Sequence, residues 1–290
     1  MRFLVALCAI PLAAQTLTGV IDLHVHSDPD STPRSIDAIS IARLAKDRGM
    51  RAILLKNHFE PTASMAWLAR QQAPGIEVFG GITLNRTIGG INPAAVERMT
   101  RVKGGWGRVV WMPTFDAENQ VRHSGEKLPF VTITRNGKLL PEVNEVLALI
   151  AKHKLTLATG HSAPEESLTL IRAARSLGID RIIVTHAMKP PVKMSVDQMK
   201  QAAKLGAFLE FDYQATIGAT KVFDLRDYTP AIRAVGPEHS VLTSDLGQQG
   251  FPLHPDGLLA FFRGLRAQGF TEAEINLMAK TNPAKLLGLP

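Results

Sequence analysis

Nine histidines occur in the chain, and five of them stand where short apolar runs end. His24 and His26 lie at the close of the run 20–24, and His58 lies two residues beyond 52–56. His161 lies two beyond 155–159, and His186 directly follows 181–185. Asp245 stands two residues past 240–243. Imidazole and carboxylate donors suit zinc, manganese, iron, cobalt or nickel. His24 and His26 are separated by one residue, so on a strand both side chains face the same way and can meet one cation. Lys56 and His58 stand in the same relation. A single His-x-His pair is a weak signal, and a lone His at a strand end is more often a structural hydrogen-bonding residue. The set carries the argument, because random placement would seldom put five histidines and an aspartate at such exits.

The elements that must position these side chains alternate along the whole chain. Apolar runs at 20–24, 52–56, 76–83, 108–112, 155–159, 181–185, 207–211 and 240–243 read as eight strands. Amphipathic stretches between them read as helices. Asn92-Pro93 opens one with a capping residue followed by Pro. Ser162 with Glu165, and Ser195 with Gln198, have the spacing of capping boxes. Eight such alternations predict an α/β fold, a (β/α)8 TIM barrel, whose active site forms at the C-terminal ends of the strands. The rhythm breaks once, over 113–140, where Asn136-Gly137 between apolar residues predicts a β-hairpin inserted after strand four. An ordered insertion there is expected to act as a lid.

Composition fits that plan. Of 290 residues, 45% are hydrophobic and only 6% aromatic, which suits a core of aliphatic parallel strands in a single domain over 15–290. The net charge of +7 is spread over helices and loops, with no basic run interleaved with aromatics, so nucleic acid is not an expected partner. Residues 1–14 read as a signal peptide, a periplasmic or secreted location following from it. The alternative is an N-terminal element that covers the barrel bottom. The apolar stretch is too short to cross a bilayer, which takes about 20 residues. The one cysteine, Cys8, falls within it, so no disulfide forms within the chain.

Asp22-Leu-His-Val-His-Ser-Asp28, Thr159-Gly-His-Ser162, Val184-Thr-His-Ala-Met188 and Thr243-Ser-Asp-Leu-Gly-Gln248 resemble the metal-ligand order of the amidohydrolase superfamily. Thr281-Asn-Pro-Ala-Lys-Leu-Leu-Gly-Leu289 resembles its C-terminal helix. The resemblance covers nearly the whole chain after Asp22, and points to a group within the superfamily that has no defined substrate. It implies a metal-dependent hydrolase of amide, lactone, ester or cyclic imide bonds of a small molecule, with one or two divalent ions, zinc first. It implies that His24, His26 and Asp245 hold one metal, and that His161 and His186 serve a second or bind substrate. Asp245 would be the proton shuttle, and His186 or His58 an oxyanion partner. Binuclear members bridge their metals with a carboxylated Lys or a Glu on strand four, and 111–116 offers neither at the exit. Lys56 is then a carboxylated bridge from strand two, an ammonium for an anionic substrate, or a side chain that reaches from the strand end to solvent, beside His58.

Three other readings follow from the same residues. The opening motifs also resemble PHP-type phosphoesterases, but Asn57 stands where that family carries Asp, and Asp245-Leu-Gly247 replaces its Asp-x-His. Some amidohydrolase relatives decarboxylate acids. A barrel that binds metal or ligand without turnover is the third, and the cysteine-free donor set weighs against a closed structural zinc site. Arg34, Arg86, Lys189 and Tyr213 fall in loops at the rim expected to meet substrate.

Overall fold

A computed structural model describes residues 17–290. The expected signal segment 1–14 lies outside the described residues. Among the described residues ten strands occur in the order β1 Ile21–Val25, β2 Ala52–Leu55, β3 Glu77–Thr83, β4 Gly107–Trp111, β5 Thr134–Arg135, β6 Lys138–Leu139, β7 Thr156–Ala158, β8 Ile182–Val184, β9 Phe208–Asp212 and β10 Ser240–Thr243. Apart from β5 and β6 they form one parallel sheet in the order β1-β2-β3-β4-β7-β8-β9-β10. The seam between first and last closes at the top, where His26 N–H reaches Leu246 O and Asp245 N–H reaches His24 O, each at 3.0 Å. This is the expected (β/α)8 barrel.

The strands are buried on both faces, and their two faces feed separate cores. Ile21, Leu23, Ala52, Leu54, Phe79, Val109, Trp111, Ala158, Ile183, Phe208 and Val241 pack together inside the barrel. The intervening residues, such as Ile53, Leu55, Val110, Leu157 and Leu209, pack outward against the helices. Those helices are α1 Ala38–Asp47, α2 Ala63–Gln72, α3 Pro93–Thr100, α4 Glu118–Ser124, α5 Pro141–His153, α6 Pro164–Ser176, α7 Val196–Lys204, α8 Leu225–Val235, α9 His254–Ala267, α10 Glu272–Asn276 and α11 Asn282–Leu287. Leu286 and Leu287 of α11 join the inner core, so the last helix plugs the barrel. None of the described helices is long and apolar enough to cross a membrane.

The capping expectations meet two outcomes. Ser195 and Gln198 form their reciprocal box at the start of α7. At α6 only half of a box forms, displaced by one residue, with Glu166 accepting from Ala163 N–H at 3.0 Å. The Ser162 hydroxyl instead turns back to Thr159 O at 2.7 Å, tightening the turn that carries His161.

The insertion contains the expected hairpin. Asn136 (φ +52°) and Gly137 (φ +71°) both sit in the left-handed region, the signature of a two-residue type I′ turn. The hairpin packs beside α6, where Thr134 Oγ1 donates to Glu166 Oε1 at 2.9 Å. The parts of the insertion that touch the histidines are Thr114, Phe115 and α4, a short polar helix that no sequence period announced.

Candidate metal centre

Alternation along the inner face of each strand carries its polar side chains to the top of the barrel. On β2 the inward series Ala52, Leu54 continues as Lys56 and His58. On β9 Phe208 continues as Glu210 and Asp212. On β1 a register shift between Asp22 and Val25 changes the phase, so His24 and His26 both enter the site above the inward Ile21 and Leu23. His186 (φ +48°) and Asp245 (φ +52°) leave their strands through the left-handed region, a strained conformation for residues other than glycine. Such strain persists only where the surroundings hold it, and it concentrates at functional sites.

Five imidazoles form a closed circuit. Ring centroids lie 5.1 Å apart for His24 and His26, 5.0 Å for His26 and His58, and 6.4 Å for His58 and His161. His161 and His186 follow at 5.7 Å, and His186 returns to His24 at 5.0 Å. All five are buried. Asp245 sits among them, with Oδ1 3.2 Å from His24 Nε2 and 3.1 Å from His26 Nε2, and Oδ2 3.7 Å from His186 Nε2. The structure therefore brings His24, His26, His58, His161, His186 and Asp245 to one place.

The opposite edges of four of the five rings are anchored. His24 Nδ1 meets Glu210 Oε1 at 2.8 Å, and His186 Nδ1 meets Asp212 Oδ2 at 3.2 Å. His161 Nδ1 meets Gln120 Oε1 of α4 at 2.8 Å, and His58 Nδ1 meets Thr114 Oγ1 at 2.9 Å. A carboxylate on one ring nitrogen fixes the tautomer and leaves the other nitrogen's lone pair for a cation. Among the described residues three carboxylate–histidine groups have metal-binding spacing: His24–His26–Asp245, His24–His186–Glu210 and His186–Asp212–Asp245. The first fits best, because Glu210 and Asp212 are already engaged with Nδ1 edges. His24 Nε2 is buried without a hydrogen-bond partner, as expected of an atom that a cation would satisfy.

Electrostatics agree with that donor set. Burial holds the imidazoles of His26, His58 and His161 well below their usual range, so they are neutral donors. Burial also opposes charge on Asp245, but Lys189, His24 and His186 outweigh it and keep the carboxyl well below its ordinary value. His186 is raised, since Asp245, Asp212 and Glu210 overcome its burial. Lys56 is 0% exposed, with Nζ 3.2 Å from His58 Nδ1. Burial brings its amine down to about 7, against the attraction of Asp245 and Glu210.

Glu210, Asp212, Gln120, Thr114 and Asn85 escaped the sequence reading. Glu210 carried a usable signal, a charge at the centre of a strand that should be apolar on both faces. Its carboxylate also accepts from His186 N–H at 3.1 Å and Thr243 Oγ1 at 3.0 Å. Burial pushes this carboxyl up, yet His24 and His186 hold it down at about 2, against an ordinary 4.5. A depressed carboxyl stabilises the fold above its unfolded pKa and loses that contribution as pH falls through the folded value. Metal-free Glu210→Gln should therefore be less stable than wild type at pH 7 by about 3 kcal/mol. Denaturant titrations should show this gap closing as pH falls from 4.5 towards 2. A gap that stays constant over that range would refute the assignment.

Gly160 precedes His161 with φ +61°, and a Cβ there would lie 2.2 Å from Met112 O and 2.4 Å from Pro113 O. Gly178 has φ +77° and open space around it. Gly178→Ala should cost about 1 kcal/mol, the left-handed penalty alone. Gly160→Ala should cost about 2–4 kcal/mol, because the backbone must also move. Equal melting temperatures for the two variants would contradict the close approach.

The rim residues divide. Lys189 reaches the site, with Nζ 3.1 Å from Asp245 Oδ2 and 3.8 Å from Asp212 Oδ1. Arg34 is buried in an ion pair with Asp30 at 2.6 Å. Tyr213 stacks on Phe261 of α9 at 5.5 Å, and Arg86 is exposed. Asn57 donates to Ser27 O and Pro29 O, each at 3.1 Å. A Cβ on Gly247 would lie 2.2 Å from His26 O.

Known structures share this architecture. An organophosphorus hydrolase from Deinococcus radiodurans is 16% identical, with 93% of this chain and 92% of that chain covered and a TM-score of 0.63. The phosphotriesterase homology protein from Escherichia coli, complexed with phosphate in its active site, is 18% identical, covering 94% and 100% with a TM-score of 0.64. An amidohydrolase from Pseudomonas aeruginosa is 12% identical, covering 93% and 95% at 0.64. At such identities the common property is the fold, that of amidohydrolase and phosphotriesterase-like barrels. No curated protein matches the sequence. Residues 19–210 match the model of a family of unknown function, DUF6282.

Proposed function

We propose, from the premise that the chain belongs to the family DUF6282, that it is a metal-dependent hydrolase cleaving an amide, lactone, ester or cyclic imide bond of a small molecule. The observation that carries this reading is the convergence of the Nε2 edges of His24, His26 and His186 on Asp245, with the far edges of His24 and His186 held by Glu210 and Asp212. His24, His26 and Asp245 would hold a first cation, zinc first among the candidates, and His161 and His186 would serve a second or the substrate. When bound there, a divalent cation supplies Lewis acidity that makes water acidic and polarises a carbonyl. Asp245, ionised down to strongly acid pH, accepts the proton of the attacking water and passes it to the leaving group. Lys189 fixes its Oδ2. In the substrate-binding role, His186 would face the oxygen on which negative charge develops.

Lys56 keeps two roles, a carboxylated bridge or a cation for an anionic substrate. The intact mass of the metal-loaded protein separates them, since carboxylation adds one CO2. The known barrels of this fold include proteins named as an amidohydrolase and an organophosphorus hydrolase, which supports hydrolysis as the reaction class. The phosphoesterase alternative loses weight because Asn57 spends its amide on backbone carbonyls and Gly247 leaves no room for a side chain. Metal analysis with a screen over lactones, amides and phosphoesters tests the reading. Turnover of carbonyl compounds by the metal-loaded protein is expected. Phosphoester turnover alone, or decarboxylation without hydrolysis, would overturn it.

A further inference from the structure

Phe115 belongs to the insertion after β4 and is 48% exposed. Its exposure does not come from a loose loop. Asn85 Oδ1 accepts from Thr114 N–H at 2.8 Å and from Asp116 N–H at 3.3 Å, so both neighbours of Phe115 are pinned. Asn85 Nδ2 also donates to Thr114 Oγ1 at 2.8 Å. The Asp116 carboxylate accepts from Arg86 N–H at 2.8 Å, and its carbonyl accepts from Val131 N–H at 2.7 Å. A well-anchored backbone thus holds a large apolar ring half in solvent, where burial elsewhere would be favoured.

The ring stands at the candidate site. Its centroid lies 4.2 Å from the His58 ring, and its edge meets His161 at 5.7 Å and 84°. Phe59, half-buried, lies 6.4 Å away and only 27° from parallel. This side of the histidine circuit is therefore a wall of flat rings, while Asp245, His186 and Lys189 form the polar side. Aromatic rings favour offset-stacked and edge-to-face partners. A planar ring placed beside Phe115 gains both apolar burial and that stacking.

We infer that the substrate carries a planar aromatic group seated against Phe115 and Phe59, with its scissile carbonyl directed towards Asp245. The inference rests on the hydrolase reading for the carbonyl and on the ring geometry alone for the aromatic group. Phe115 is then a specificity-determining residue rather than a catalytic one.

The test uses binding, so that it stands apart from turnover. Benzoate, cyclohexanecarboxylate and acetate are titrated by calorimetry into the zinc-loaded full chain. Benzoate should bind about 10-fold more tightly than acetate, and more tightly than cyclohexanecarboxylate, the scale expected of one stacked ring. Phe115→Ala should bring benzoate to within about 3-fold of acetate, with acetate affinity unchanged, while Phe115→Tyr should keep the preference. Phe115→Leu retains apolar bulk and should lose the preference of benzoate over cyclohexanecarboxylate. Equal binding of benzoate and acetate by the wild type would overturn the inference. So would an undiminished preference in folded, zinc-loaded Phe115→Ala or Phe115→Leu. Aryl-selective binding without hydrolysis of any carbonyl compound would sink the hydrolase reading and leave the aromatic subsite standing.

Discussion

Asp245→Asn is expected to keep its metal while turnover falls by a factor of about 10² or more, the usual scale of general acid–base catalysis. The side chain sits at the centre of the site, 3.1 Å from His26 Nε2 and 3.1 Å from Lys189 Nζ. Asparagine preserves the size and one oxygen, so His24 and His26 still meet an oxygen donor. It removes the negative charge that Lys189, His24 and His186 stabilise, and with it the basicity. The pH profile gives a second readout. The Asp245 carboxyl lies well below the ordinary carboxylate range, so the wild-type rate should not fall through mid-acid pH on its account. Metal content by mass spectrometry and hydrolysis of the best screened substrate are measured together. A metal-loaded Asp245→Asn that turns over at the wild-type rate would assign the base elsewhere.

His24→Ala is expected to lose both metal and turnover. This imidazole is the hub of the circuit, in contact with His26, His186, Glu210 and Asp245. Its removal takes away one of few strong donors and strips Glu210 of one of its three hydrogen bonds. A buried carboxylate that loses a charge-assisted partner, together with the cavity left behind, should cost the metal-free fold about 2–4 kcal/mol. Dialysed protein should retain little metal and show background hydrolysis. His153→Ala, on the outer helix α5, should retain both. If His24→Ala holds wild-type metal stoichiometry, the cation does not sit between β1 and β10.

Much of this site was legible before any coordinates, and particular residues explain why. His24 and His26 declare a shared face because strand side chains alternate. His161, His186 and Asp245 declare themselves by following apolar runs. The hairpin declares itself by Asn136-Gly137, since few other pairs accept two left-handed residues in succession. Glu210 and Asp212 could have been found from their charges on a buried strand, but nothing local says which ring nitrogen they face. Gln120 and Asn85 could not have been found, because α4 lacks the apolar stripe that marks a helix and Asn85 sits in an ordinary turn. Within the insertion, α4 and not the hairpin is tied to the turn carrying His161, where Asn119 donates to His161 O at 3.0 Å and Pro191 O at 3.1 Å.

The sequence by itself determined the periodic events: eight apolar runs, their exits, and the donor types placed there. Periodicity is a property of neighbours along the chain, and burial of parallel strands needs only local composition. The tertiary structure alone decided which donors share an atom's distance. The register shift in β1 sets the phase of His24 and His26, and the left-handed exits at His186 and Asp245 aim those side chains at one another. It also decided the charge states, because Lys56 comes down to about 7 and Glu210 to about 2 only when residues far apart in sequence enclose them. Distance and dielectric between non-neighbours come from how the barrel closes, and no spacing along the chain encodes them.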